Sequence, residues 1–191
     1  MAKQDKQEKI ITAAIELVAK NGYFNTTVSQ IAKKANIAVG SVYLYFDNKD
    51  SILHHIFGTF VENLKTNIIE KQKKAATVSE KLQMLINSIF VTFNESPLVA
   101  KIILQELRQT NKSFYEISRK TLNSIILFFE RILQEGIEKG EIREINTKET
   151  SIALLGIIEM VGFFWVLENC PYDLNTRSED IFNMIFRGIK K

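Results

Sequence analysis

Apolar residues recur along this chain at intervals of three and four, the period of a helix with one buried face, and strand-like alternation is absent. Ile10, Ala13, Ala14, Leu17 and Val18 share a face in a helix predicted over residues 3–21, which Gly22 stops. Val28, Ile31, Ala32 and Ala35 repeat the spacing in a much shorter segment. Ile52, Leu53, Ile56, Phe57, Phe60, Val61, Leu64 and Ile68 carry it through a long helix over 49–75. That helix turns lysine-rich at Lys71, Lys73 and Lys74, which suits a solvated C-terminus facing the negative end of the helix dipole.

From Val78 onward the pattern stays helical. Leu82, Leu85, Ile86, Ile89, Phe90 and Phe93 form a stripe closed by Ser96 and Pro97, and Pro97 opens a helix over 98–107. Phe114, Ile117, Thr121, Ile125, Phe128, Phe129, Ile132 and Leu133 mark a long helix over 113–139, ended by Gly140. Asn146 and Thr147 open the next helix, and Pro171-Tyr172-Asp173 breaks it. The last helix, over 177–190, carries Ile181, Met184, Ile185 and Ile189 on one side. The reading is all-α, with a small domain over 1–48 and a larger one over 49–191.

The small domain carries the most specific local signals. Thr27 followed by Gln30 is a capping box, which starts a helix by satisfying orphan N–H groups. The small Ala32 lets a second helix cross close by. Asn36 tolerates the left-handed conformation that ends a helix, and Ile37 fills the corner. The second short helix sends Val42 and Phe46 inward and presents Gly40, Ser41, Tyr43 and Tyr45 outward. A helix that is small and polar near its start is suited to the major groove, so the pair reads as a helix-turn-helix.

Residues 10–53 resemble the amino-terminal DNA-binding domain of the TetR family of bacterial transcriptional regulators. The resemblance rests on Ala13-Ala14-x-x-Leu17, Asn21-Gly22-Tyr23, Thr26-Thr27-Val28-x-x-Ile31-Ala32-x-x-Ala35, Gly40-Ser41-Val42-Tyr43-x-Tyr45-Phe46 and Asn48-Lys49-Asp50-x-x-Leu53, all in register. It implies a fold of about nine helices, with Thr27, Ser29, Val39, Gly40, Ser41, Tyr43, Tyr45 and Lys49 at the DNA surface. Tyr43 and Lys49 are expected on phosphates, and Val39, Gly40 and Ser41 nearest the bases. Two positions depart from the family pattern. Asn36 stands where glycine is usual, and Ala38 stands where serine usually caps the second helix, a loss of about 1 kcal/mol.

Composition narrows the function classes. The apolar share of 46% and charged share of 25% are those of an ordinary globular protein. A net charge of +3 permits nucleic-acid binding without demonstrating it. The single cysteine, Cys170, excludes an intrachain disulfide and fits a reducing cytoplasm. The charged start runs straight into an amphipathic helix, so no secretory leader is expected. Residues 152–167 are apolar apart from Glu159 and two glycines, yet fall short of the ~20 residues of a membrane span. No membrane is expected. Catalysis and metal binding also lack support: His54 and His55 are adjacent, pointing about 100° apart on a helix, and no phosphate-cradling glycine loop is present. No cofactor is expected. A sequence-blind architectural DNA binder is a third class, but seven lysines against five acids in the first fifty residues make too sparse a basic surface.

The helix over 152–167, with Gly156 and Gly162, is apolar all round and needs a cover beyond its own domain. Paired with the last helix it suits a four-helix interface between two copies, which is also where TetR-family proteins dimerise. A two-fold dimer presents two recognition helices about one DNA turn apart and requires a palindromic operator in double-stranded DNA. No arginine precedes Arg108, so bidentate guanine contacts are unavailable to the small domain. The operator is therefore expected to be A·T-rich, read by Val39 or Ala38 on thymine methyl groups.

In the larger domain, Gln105-Glu106-Leu107-Arg108-Gln109-Thr110-Asn111, residues 136–143, Trp165 and Tyr172-Asp173-Leu174 resemble the FadR branch of that family. The branch consists of repressors released by long-chain acyl-coenzyme A. A small hydrophobic effector is thus expected, with Phe93, Leu104, Arg108, Phe114, Phe129, Glu159 and Trp165 as its candidate contacts. Thirteen phenylalanines could line an acyl channel, or simply fill a core. Arg108 is the candidate phosphate partner. Glu159, a carboxylate in an apolar helix, needs a partner: Arg108, the second protomer, or a cationic ligand. The last choice would make the protein a multidrug-responsive repressor of an efflux gene.

Overall fold

The computed structural model describes residues 2–72, 75–106 and 112–191. Among them nine α-helices follow one another: α1 (Ala2–Asn21), α2 (Val28–Lys34), α3 (Val39–Val42), α4 (Lys49–Gln72), α5 (Val78–Glu95), α6 (Pro97–Glu106), α7 (Lys112–Glu138), α8 (Thr147–Leu167) and α9 (Ser178–Ile189). A 3₁₀ turn at Leu174–Arg177 precedes α9. No strand occurs among the described residues; Ile142 and Lys190 form one isolated antiparallel bridge.

The chain divides into two compact units, the first of which takes in the beginning of α4. One comprises Met1–Phe60 with Leu98–Ile117, the other Val61–Pro97 with Ser118–Lys191. The reason lies in α4, whose first turns bury Ile52, Leu53, Ile56 and Phe57. Those side chains give the beginning of α4 to the first unit.

In the first unit, α1 buries Ile10, Ala13, Ala14 and Val18, and α2 packs on it through Ile31 and Ala32, both fully buried. The capping box forms as expected: Thr27 Oγ1 accepts from the Gln30 N–H at 3.2 Å, and the Gln30 side chain accepts from the Thr27 N–H at 2.8 Å. Asn36 takes the left-handed conformation, φ 56°. The N–H groups of Ile37 and Asn36 donate to Ala32 O and Lys33 O, at 3.0 and 3.2 Å, the paired closure of a Schellman motif. Val42 and Phe46 point inward.

In the second unit, α5 is the central element. Leu82, Leu85, Ile86, Phe90 and Phe93 are buried, and α9, the 3₁₀ turn and α8 pack on it. Asn94 fixes the turn, its Oδ1 accepting from the Leu174 N–H at 3.1 Å. Glu135 on α7 bonds Lys81 of α5 and Lys139 one turn on, both at 2.7 Å. These two cations hold its carboxyl below the usual carboxylate range, Lys139 contributing most.

Packing refines one sequence expectation and corrects another. On α9 the buried side is Ser178, Phe182, Ile185 and Ile189, whereas Met184 is exposed and Ile181 only half-buried. Two apolar stripes overlap on this helix, and packing against α5 selects the one with the larger Phe182. The correction concerns α8. It begins at Thr147 and runs 21 residues, with a mean hydropathy of 2.0 over its most apolar stretch, so length does not separate it from a membrane span. Its burial is one-sided. Leu154, Ile158 and Trp165 are covered, while Ile152, Met160, Phe164 and Leu167 are exposed.

Candidate functional site

The exposed surface of the helix-turn-helix is built by its own turns. Thr27 and Ser29, at the start of α2, are exposed. Val39 and Gly40 open α3 and are exposed, Ser41 is half-buried, and Tyr43 is 53% exposed just past the helix end. Tyr45 is half-buried because Tyr45 N–H and Phe46 N–H both return to Val42 O at 3.0 Å, curling the chain inward. Ala38 sits at the N-cap position of α3 with no side-chain cap, and only its carbonyl serves, accepting from Ser41 N–H at 2.9 Å. Leu44, 78% exposed beside Tyr43, was not among the expected DNA residues. Its signal is an apolar side chain in a helix-turn-helix position with no inward partner.

Lys49 is placed differently from the rest. Its Nζ donates to Tyr23 O and to Thr26 O, both at 2.7 Å, and lies 4.0 Å from the centre of the Tyr23 ring. The Tyr23 hydroxyl in turn donates to Asp50 Oδ1.

The second unit contains an apolar cavity of about 160 Å³. It is lined by Val61, Leu64, Lys65, Ile68 and Ile69 of α4, Leu85 of α5, and Ser124, Ile125 and Phe128 of α7. Lys65 and Ser124 supply the polar atoms. Lys65 Nζ is 2.9 Å from Glu62 Oε1, and Ser124 Oγ donates to Lys120 O at 2.9 Å. No carboxylate is part of this wall among the described residues.

The expected effector residues are not brought together there. Phe93 and Phe129 are core, at 4% and 0% exposure, and Leu104 is buried in the first unit. Trp165 is 2% exposed, its Nε1 donating to Tyr172 O at 2.7 Å, which makes it a brace for the turn after α8. Glu159 is half-buried on α8 and is not among the residues lining the cavity. Arg108 lies outside the described residues, as do Lys73 and Lys74 of the lysine-rich run and the side chains of Phe114 and Lys71. The lining residues Val61, Leu64, Ile68, Leu85, Ile125 and Phe128 belong to stripes visible in sequence, but periodicity does not tell a cavity wall from filled core. His54 and His55 diverge: His54 Nε2 is buried without a hydrogen-bond partner, and His55 is exposed, its ring 5.7 Å edge-on from Phe46. No group of three or more metal-ligating side chains occurs among the described residues.

Comparison with known proteins covers the whole chain. Residues 53–188 match the C-terminal region of YsiA-like proteins. The fatty acid metabolism regulator protein of Bacillus subtilis is 35% identical over 98% of this chain and 97% of its own. Among solved structures, the fatty acid degradation regulator FadR of Bacillus halodurans superposes with a TM-score of 0.84, at 31% identity over 96% of this chain and 95% of that one. FadR of Bacillus subtilis, in complex with stearoyl-CoA, gives 0.82, at 33% identity over 95% and 98%. These relatives are transcriptional regulators, not enzymes. With residues 10–56 also matching the bacterial regulatory proteins of the tetR family, the chain belongs to the TetR family of transcriptional regulators.

Proposed function

We infer that this protein is a one-component repressor that binds a palindromic operator as a homodimer in the cytoplasm and is released by a long-chain acyl-coenzyme A. The observation that carries this reading is the course of α4: one helix that starts at Lys49, directly after the helix-turn-helix, and walls the apolar cavity from Val61 to Ile69. The DNA side is Thr27, Ser29, Val39, Gly40, Ser41, Tyr43 and Tyr45, with Lys49 as its border.

Ligand pockets commonly measure ~300–1,000 Å³. The cavity, at about 160 Å³, falls below that range. An acyl chain of sixteen or eighteen carbons fits only if α4 and α7 part. That gives the ligand a differential affinity for the parted state, which is what a release mechanism requires. Among the described residues Lys65 is the cation that lines the cavity and can meet a phosphate-bearing head group. FadR of Bacillus subtilis, seen with stearoyl-CoA, supports this choice of ligand. An efflux repressor responding to hydrophobic cations is not favoured, because among the described residues the wall offers Lys65 and no carboxylate.

The exposed stripe Ile152, Met160, Phe164 and Leu167 on α8 supports the homodimer. The test is fluorescence anisotropy on a palindrome selected from random DNA, titrated with acyl-coenzyme A of six to eighteen carbons and with a cationic dye. Release by the longer acyl chains is expected. Release by the dye alone overturns the reading.

A further inference from the structure

We propose that Lys49 is a positioning residue for operator binding: it sets the helix-turn-helix by clamping the Gly22–Thr27 turn to the first turn of α4, rather than by meeting a phosphate. The proposal rests on the reading of this chain as an operator-binding protein.

The geometry within the first unit is specific. The turn is already tight before Lys49 arrives. Gly22 has φ 81°, Thr26 N–H donates to Tyr23 O at 3.2 Å, and the buried Thr26 hydroxyl donates to Gly22 O at 2.9 Å. Thr27, the next residue, is the N-cap of α2. Whatever fixes the Thr26 carbonyl therefore fixes the first peptide of the helix-turn-helix. Lys49 does so: its ammonium donates to Thr26 O and Tyr23 O at 2.7 Å each. The short distances are those of charge-assisted bonds. The Tyr23 ring, 5% exposed, lies under the same ammonium at 4.0 Å.

Asp50 holds the hydroxyl of that ring, so two consecutive residues of α4 grip the two ends of one tyrosine. A lysine ammonium has three donors, and two are committed to carbonyls here. A side chain half-buried in this way is poorly placed to swing toward a phosphate without releasing the turn. Tyr43, 53% exposed, is the better phosphate partner.

The two roles separate in the salt dependence of binding. Each phosphate contact contributes about −0.9 to the slope of log affinity against log salt, and a positioning residue contributes nothing. Wild type, Lys49→Met and Lys49→Arg are compared on the selected palindrome from low to moderate salt. Hydrogen exchange is followed at the amides of residues 26–31 and, as an internal control, at those of 10–18.

Lys49→Met is expected to bind about tenfold more weakly at every salt concentration, with the wild-type slope and faster exchange confined to residues 26–31. Lys49→Arg keeps the charge and guards against misfolding. Its planar fork suits a phosphate at least as well as lysine does, but does not seat over two carbonyls and a ring in the same way. It is expected to remain weaker than wild type by about threefold or more.

A slope smaller by about 0.9 per protomer in Lys49→Met, with affinity restored in Lys49→Arg, overturns the proposal. So does Lys49→Met exchange unchanged at residues 26–31. Wild-type protein that selects no DNA at all overturns the operator-binding reading instead, a result separate from either of these.

Discussion

Gly136 on α7 lies so close to Ile142 that a Cβ added to it would stand 2.5 Å from Ile142 Cδ1 and 2.9 Å from Val78 Cγ1. Ile142 and Val78 are 2% and 0% exposed, so neither has open space to turn into. The turn after α7 closes on the same glycine, since Glu141 N–H and Ile142 N–H both donate to Gly136 O, at 2.9 and 3.0 Å. In an open helix, Gly→Ala gains ~1 kcal/mol. Here overpacking costs about 1–3 kcal/mol and wins. Gly136→Ala is expected to lower the urea midpoint, whereas Gly58→Ala on α4, where a Cβ meets nothing within 4 Å, raises it. Equal shifts for the two variants would remove the steric account.

The Glu135 carboxyl is depressed by Lys139 and Lys81, and Glu80 by the N–H groups of Ala76 and Thr77 that it caps. A depressed carboxylate contributes stability that is fully present above its unfolded value, ~4.3 for glutamate, and is lost as pH falls through the folded value. Unfolding free energy is therefore expected to be insensitive to these groups at neutral pH and to fall on acidification below about pH 4.3. Glu135→Gln lowers stability at pH 7 and flattens the acid limb. Urea midpoints measured from pH 3 to pH 7 check both; an acid limb unchanged in Glu135→Gln shows that this pair does not contribute.

Local chemistry made the first unit legible from sequence. The capping box at Thr27 and Gln30 and the left-handed Asn36 are decided by residues three to six apart, and both appear where the pattern puts them. What depends on packing was harder to read. On α9, Phe182 and Met184 are both apolar, and only the neighbouring α5 decides which is covered. Trp165 and Phe129 look alike in sequence whether they line a channel or fill a core. The cavity instead falls on Lys65, Ile69 and Ser124, of which the first and last are polar and the second is 52% exposed. Lys49 shows the same limit, since no spacing rule places its ammonium on carbonyls of residues 23 and 26.

Ala38 leaves the start of α3 without a side-chain acceptor. Its backbone is already extended, φ −67° and ψ 141°, the conformation an N-cap serine adopts. Ala38→Ser is therefore expected to stabilise the protein by about 0.5–1 kcal/mol, with slower hydrogen exchange at the Gly40 and Ser41 amides, the donors an N-cap hydroxyl reaches. A variant that unfolds at the same urea concentration as wild type shows that α3 is held by Val42 and Phe46 alone.

On α8, Ile152, Met160, Phe164 and Leu167 are 45%, 42%, 55% and 51% exposed. Spacings of eight, four and three place them on one stripe, with Gly156 between the first two. At Gly156 a Cβ meets nothing within 4 Å, so the stripe has an open notch where a second backbone can approach. Four large apolar side chains in a row exceed what a lone soluble subunit usually leaves in water. Ser151, Leu154, Leu155, Ile158, Trp165 and Val166 are buried on the opposite side. One-sided burial of this kind suits a protein partner, and in a two-fold dimer each exposed residue is used twice. Phe164→Glu places two carboxylates in that seam and is expected to give a monomer by analytical ultracentrifugation with unchanged helicity. Because one protomer meets only half of a palindrome, the same variant loses operator affinity by about a hundredfold or more, on the order of 3 kcal/mol. A Phe164→Glu protein that sediments as a dimer would place the interface on another face.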